Sequence, residues 1–214
     1  MLVVLLGAPG TGKGTQARLL AKRYNLSILS TGEILRNAVN KGTKLGMEIK
    51  EVISSGNFVS DNMVCPLVEN ELKKKIDNNG YILDGFPRTL SQAYMLDDII
   101  IKNNFEEFYI ISLSLDKEKI IKRLCARIIC TRCGQSYNST TKNDKTNGKC
   151  DVCGCTHFDT REDDKEKSIK NRLSLYNTQT SLLTDYYKTY KNYISIDANQ
   201  GVEQIHEQIT SFIV

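Results

Sequence analysis

Apolar and polar positions along the chain fall into two periods that alternate with each other. Leu2-Val3-Val4-Leu5-Leu6 is a continuous apolar run, the pattern of a strand buried on both faces. From Lys13 onward, Ala17, Leu20, Ala21 and Tyr24 recur at helical spacing, and Leu26-Ser27-Ile28-Leu29 predicts a short second strand. Ser30 and Glu33 then stand at capping-box spacing and predict a helix start. Lys41-Gly42 and Ser55-Gly56 punctuate two short helices, so residues 30–59 form a small helical excursion of the kind that covers a ligand. A further helix is expected from Ser60-Asp61 to about Ile76, with Val64, Leu67, Val68 and Leu72 on its apolar face.

Tyr81-Ile82-Leu83 is the third predicted strand and Phe108–Leu113 the fourth, with a helix over 89–102 between them. Asp116 is placed to cap a helix containing Ile120, Ile121 and Leu124. A long helix is expected after Arg161-Glu162-Asp163-Asp164, through about Tyr190, with Ile169, Leu173, Leu175, Tyr176, Leu182 and Leu183 as its apolar stripe. Tyr193–Ile196 is the last strand, and a closing helix runs to Phe212. Five strands alternating with helices predict an α/β fold around a parallel sheet.

The turns between these elements carry the chemistry. Four glycines and one proline occupy Gly7–Gly14, between the first strand and the first helix. Such a loop turns successive N–H groups towards an anion, and the helix N-terminus adds partial positive charge. A plain tight turn is the bland alternative, but Lys13 at the helix start favours a phosphate site. The P-loop pattern is met at Gly7, Gly12 and Lys13, whereas its last position is Gly14 rather than Ser or Thr. The first hydroxyl is therefore Thr15, and a Mg2+ ion would be held mainly through water and other groups. Asp84, at the end of the third strand, sits where open α/β sheets bind ligands and could hold those waters; a turn or cap role is the competing reading.

Composition changes abruptly at residue 130. Cys130, Cys133, Cys150 and Cys153 enclose a polar stretch too poor in apolar residues to build a core. Their C-x2-C-x16-C-x2-C spacing suits a closed, structural Zn2+ site, with Cys155 and His157 as spare donors nearby. Cys65 and Cys125 have no motif role and are expected to pack. The net charge of +4 suits small anions without requiring nucleic acid. No apolar run approaches the roughly 20 residues of a membrane span, and a strand starting at residue 2 leaves no room for a signal peptide. A soluble, cytoplasmic protein is expected.

Four segments together resemble the adenylate kinase family of nucleoside monophosphate kinases, over essentially the full length. They are Gly7–Thr15, Ser30–Arg36, Leu83–Thr89, and Arg161–Asp164 with Arg172. The resemblance implies a three-layer P-loop core of 1–29, 60–125 and 165–214. It also implies an AMP-binding segment at 30–59 and a zinc-bearing lid at 126–164. It implies reversible transfer between ATP and AMP to give two ADP, with Mg2+, by a monomer that needs neither nucleic acid nor a membrane.

By the same resemblance, Gly10, Thr11, Gly12, Lys13, Gly14, Thr15, Arg123, Arg127, Tyr137 and Gln200 would hold ATP. Thr31, Gly32, Arg36, Phe58, Val59, Val64, Gly85, Arg88, Gln92, Arg161 and Arg172 would hold AMP. Lys13, Asp84, Arg88, Arg127, Arg161 and Arg172 would serve the transfer itself. Ile128 stands where some relatives in that family carry a second lid arginine. GTP as donor remains an alternative, because the donor base is expected to be read by backbone around 199–201. A zinc-ribbon nucleic-acid-binding NTPase is a weaker one, since Lys142, Lys145 and Lys149 are offset by Asp144, Asp151 and Asp159. A self-hydrolysing nucleotide switch would leave the second arginine cluster without a purpose.

Overall fold

A computed structural model describes residues 1–40, 42, 44–73, 79–139 and 148–213. Its centre is a five-stranded sheet with every neighbouring pair parallel. The strands are β1 (Leu2–Gly7), β2 (Ser27–Ser30), β3 (Tyr81–Asp84), β4 (Phe108–Ser114) and, after the lid, β8 (Tyr193–Asp197), in the order β2-β3-β1-β4-β8. β1 lies in the middle. Its side chains alternate: Leu2, Val4 and Leu6 enter one core cluster, Val3 and Leu5 the other. This two-sided burial is why the run is continuously apolar. Truncating Leu5, 1% exposed, would cost about 2–5 kcal/mol through lost transfer energy and the cavity left behind.

One face of the sheet is covered by α1 (Lys13–Tyr24) and α9 (Val202–Phe212), whose Ala17, Leu20, Ile205 and Ile209 share a cluster with Val3 and Leu5. The other carries α2 (Thr31–Asn40), α3 (Lys44–Ser54), α4 (Asp61–Leu72), α5 (Leu90–Lys102) and α8 (Ser181–Tyr187). At the centre of that side lie Val68, Phe86, Leu96 and Tyr187, each fully buried. A third, smaller cluster joins Ala8 of the loop after β1 to α6 (Lys117–Cys125) and α7 (Glu166–Leu175).

Several local expectations are modified. Ser30 is the last residue of β2, paired with Asp84, and the helix begins only at Thr31; sheet pairing takes the residue expected to cap. Asp116 is the N-cap of α6, but its side chain makes no capping bond and pairs with Lys119 at 3.5 Å. The long helix expected after Asp164, through about Tyr190, is divided. A 3-10 turn, Glu162–Asp164, is separated by extended Lys165 from α7, and a π turn at Tyr176–Thr180 leads into α8, which ends at Tyr187. α4 ends at Leu72 with Lys73 as its C-cap, and residues 74–76 of its expected length lie outside the described residues, as do Lys41 and residues 140–147.

The cysteine-bearing segment, read as polar loop, contains a small antiparallel sheet: β5 (Arg127–Cys130) between β6 (Ser136–Asn138) and β7 (Phe158–Asp159). Its buried centre consists of Cys130, Cys150 and Cys155, and Tyr137 and Phe158, which meet each other edge to face, pack against them. Cys65 packs against the main core as expected. Cys125 does not pack: it is exposed at the end of α6, because the apolar face of that helix is carried by Ile120 and Leu124. No helix among the described residues is long and apolar enough to cross a membrane.

Candidate active site

A cleft of about 700 Å3 opens at the C-terminal ends of β1, β2 and β3, beside the strand from which the sheet order departs in both directions. The loop after β1 forms its floor. Gly7, Gly10 and Gly12 all have positive φ, so this path is open to glycine and strained for other residues. Gly12 caps α1 in the left-handed conformation, and Thr11 Oγ1 donates to Ala8 O at 2.9 Å, bracing the loop from within. Lys13 Nζ donates to Gly7 O at 2.8 Å and Ala8 O at 2.9 Å. Burial is the main reason its pKa falls to about 8, with Asp84 pulling upward and Arg88, Arg172 and Arg127 pushing down.

Asp84 lines the cleft at the end of β3. A Cβ built on Gly14 would lie 3.4 Å from Asp84 Oδ2, so the residue that breaks the P-loop pattern faces this carboxylate directly. A carboxylate lining the same cleft as Gly14 and the Thr15 hydroxyl is a donor set that fits a hydrated Mg2+.

One end of the cleft is built by residues 28–36, 58 and 84–88. Gly85 has φ +83°, and a Cβ there would come within 3.1 Å of both Arg88 Nη2 and Thr31 Oγ1. Freed of that clash, Arg88 Nε and Thr31 Oγ1 donate to Gly85 O at 2.8 and 2.9 Å. The Arg88 guanidinium lies 5.1 Å from the centre of the Phe58 ring. Gly32 performs a similar service for Arg36, whose guanidinium nitrogens stand 3.2 Å from where its Cβ would be. Thr31, Val59, Val64 and Gln92 are buried behind this end. Gln92 has both ends of its amide in use: Nε2 donates to Asp61 at 2.5 Å, and Oε1 accepts from Arg88 N at 2.7 Å.

The other end is framed by Arg123, Gln200 and Val202, with Gly134, Gln135, Ser136, Tyr137 and Val152 of the cysteine-bearing segment lining it as well. Arg123 Nη2 donates to Ala198 O at 3.3 Å.

Lys13, Arg36, Arg88, Arg127, Arg161 and Arg172 all line the cleft. Desolvation and mutual repulsion hold the pKa of Arg88 and of Arg161 down to about 10, and burial also lowers those of Arg36 and Arg172. The Arg161 Nε is buried and makes no hydrogen bond among the described residues. This is a site short of negative charge.

Two acids relieve part of the shortage, and neither was singled out from sequence. Arg127 Nε donates to Asp164 Oδ2 at 2.6 Å, and its Nη2 bonds the other oxygen, a bidentate pair. Arg172 Nη1 lies 2.7 Å from Asp163 and 3.3 Å from Asp164. Both acids are buried. Burial pushes the Asp163 carboxyl upward, but Arg172, Arg127, Arg36 and Arg161 outweigh it and hold it below the ordinary range. The available signal was the adjacency of two acids to an arginine within one short motif.

In the lid, the sulfurs of Cys130, Cys133, Cys150 and Cys153 lie within 4.8 Å of one another, the closest pairs at 3.5 Å. A tetrahedral Zn2+ with bonds of about 2.3 Å needs S···S edges of roughly 3.8 Å, so the donor set fits. Cys155 stays outside this cluster, bonded instead to Thr131 and the His157 backbone. Tyr137, which lines the cleft, joins the cluster by hydrogen bonds to Cys150 Sγ at 3.1 Å and to the Asp151 carboxylate.

A family model described as adenylate kinase matches residues 5–192. Among curated proteins, the adenylate kinase of Caldicellulosiruptor bescii is 43% identical over 188 residues, spanning 88% of this chain and 87% of its own. That of Elusimicrobium minutum is 40% identical over 214 residues, covering 100% and 98%. That of Fervidobacterium nodosum is 39% identical over 205 residues, covering 96% and 94%.

Proposed function

Since this chain belongs to the adenylate kinase family, we infer that it catalyses ATP + AMP ⇌ 2 ADP. The observation that carries the reading is a set of six cations lining one cleft, which Asp163, Asp164 and Asp84 neutralise only in part. A nucleotide that only needed binding would call for one cationic group of this kind. Two nucleotides meeting by their phosphates call for both ends and a shared middle.

In this reading the donor phosphates lie in the loop of Gly10, Thr11, Gly12, Lys13, Gly14 and Thr15. The donor base lies towards Arg123, Gln200 and Tyr137. AMP occupies the end built by Thr31, Gly32, Arg36, Phe58, Val59, Val64, Gly85, Arg88 and Gln92. Its phosphate is held by Arg36 and Arg88, while Arg127, Arg161 and Arg172 surround the transferring group. The acceptor phosphate is already an anion, so no general base is required. Catalysis then rests on in-line positioning and on charges fixed in place before the reaction. Neither His157 nor His206 lines the cleft, in keeping with that.

Asp84 and Thr15 would hold the waters of Mg2+, which supplies charge neutralisation on the donor phosphates. Cys130, Cys133, Cys150 and Cys153 would hold Zn2+, which supplies the lid with the ordering energy its few apolar residues do not. Residues 1–29, 60–125 and 165–214 form the core, 30–59 the AMP-binding segment and 126–164 the lid. The protein acts as a cytoplasmic monomer on ATP, AMP and ADP. No observation favours nucleic-acid binding, since one edge of the cysteine segment is turned into the cleft.

The test is ADP formation from Mg·ATP with and without AMP, crossed with GTP as donor and GMP, CMP and UMP as acceptors. ATP with AMP should exceed the other pairs. ATP loss at the same rate without AMP would overturn the assignment.

A further inference from the structure

The geometry points to Gln16 as the residue that selects the donor base, through a side-chain oxygen that prefers an exocyclic amine to a carbonyl. Gln16 lies one turn into α1, immediately after the phosphate loop, and is 2% exposed. Its Nε2 donates to Val202 O at 2.9 Å, across 186 residues of chain. A backbone carbonyl only accepts, so this bond fixes which end of the amide is nitrogen. The Oε1 is thereby turned away from Val202. It is buried and accepts no hydrogen bond among the described residues.

Its neighbours at the base end are satisfied. Gln200 donates to Asp197 O at 3.1 Å and accepts from Gln208 at 2.7 Å. Asn199 accepts from Lys119 at 2.6 Å and donates to Asp197 at 2.7 Å. The Arg123 guanidinium bonds Ala198 O. These side chains are already engaged, and Gln16, which lines the cleft, is left with an acceptor oxygen that has no partner among the described residues.

A buried carbonyl oxygen without a donor is costly, and such a group in a native protein has a reason. Adenine offers an amine at its 6-position, which would satisfy Oε1. Guanine seated the same way presents a carbonyl there, placing two acceptors face to face. A site built around such an oxygen rejects a base without the matching N–H far better than a hydrophobic pocket rejects an isostere. The tie to Val202 also couples the phosphate loop to the base loop, so the two halves of the donor site are set in one register.

This inference rests on the adenylate kinase reading, and the experiment separates the two. With AMP as acceptor, kcat/KM is measured for ATP, GTP and purine riboside triphosphate, which has no substituent at position 6. The wild-type protein should favour ATP over purine riboside triphosphate by roughly 10- to 100-fold. Gln16→Leu should bring that ratio to within about threefold of unity, and Gln16→Met, an unbranched chain of similar length, should do the same. Equal rates in the wild type overturn the proposal whatever the variants do. So does a uniform fall for all three donors with the ratio preserved, which would mean a purely structural tie. Absence of AMP-dependent transfer with every donor would instead sink the adenylate kinase reading itself.

Discussion

Arg172 and Asp163 meet at 2.7 Å across the extended residue Lys165, one on α7 and the other in the 3-10 turn before it. Arg127 meets Asp164 from β5 in the same way. In the proposed reaction the two acids would stand in for phosphate. They hold the two guanidinium groups in place, so part of the ordering cost would be met before nucleotides arrive.

Asp163→Asn should therefore destabilise the free protein by about 3 kcal/mol, a fall in Tm of roughly 6–12 °C, because it leaves a buried cation uncompensated. Saturating ADP should shrink the difference, since its phosphates replace the missing charge. Thermal melts with and without nucleotide check this; an equal loss in both states would speak against the stand-in role. The sign with pH is also set. Asp163 has its folded pKa below the usual value of 3.8, so its contribution is present above that pH and is lost as pH falls below it.

Lys13 carries a second pH signature. With a pKa of about 8 in the free protein, it begins to lose its proton just above neutrality. Bound phosphates would raise that value again. The expected result is a falling limb near pH 8 in kcat/KM for ATP, shifted to higher pH in kcat. Coincident limbs would exclude Lys13 as their source.

Arg88 has its position set from three sides: by Gly85 O, by the Phe58 ring and, through its own backbone N–H, by Gln92. Arg88→Lys keeps the charge but loses the planar fork, and should lower kcat by about 100-fold or more. Phe58→Leu should cost less, on the order of 1 kcal/mol in kcat/KM for AMP. A Phe58→Leu effect on ATP alone would place the ring's role at the other nucleotide.

Metal analysis should find about one Zn2+ per chain. Cys133→Ser should release it and raise the KM for ATP, because Tyr137 links the sulfur cluster to the cleft. Cys155→Ser should keep the metal. Loss of zinc from that variant would make Cys155 a ligand. Chelation should melt the lid while the core, with its own two large clusters, stays folded.

The sheet was legible because β1 and its neighbours are buried on both faces, and continuous apolar runs survive any reading frame of packing. The loop at Gly7–Thr15 was legible because its glycines are demanded by backbone path. The arginines were found through resemblance, since a lysine or arginine in a helix looks the same whether it faces water or phosphate. Gln16 left no signal: its role depends on Val202, 186 positions away. The lid sheet was hidden for a similar reason. Its strands are two to four residues long, and its centre is sulfur rather than hydrocarbon.

α7 holds more than Arg172. Ser168 Oγ donates to Ser54 O at 2.7 Å, and Asn171 Nδ2 donates to Ser55 O at 2.9 Å and Asn57 Oδ1 at 2.8 Å. Gly56 presses so close that a Cβ there would stand 2.6 Å from Ser168 O. One helix thus positions residues 54–57 through Ser168 and Asn171 and the cleft cations through Arg172. A single residue inserted between Lys165 and Ser168 would turn everything after it by about 100°. It would unseat the segment and swing the arginine out of the cleft at once. Length drift is therefore expected to be least tolerable in the first two turns of α7, where one insertion or deletion would disturb both contacts in one stroke.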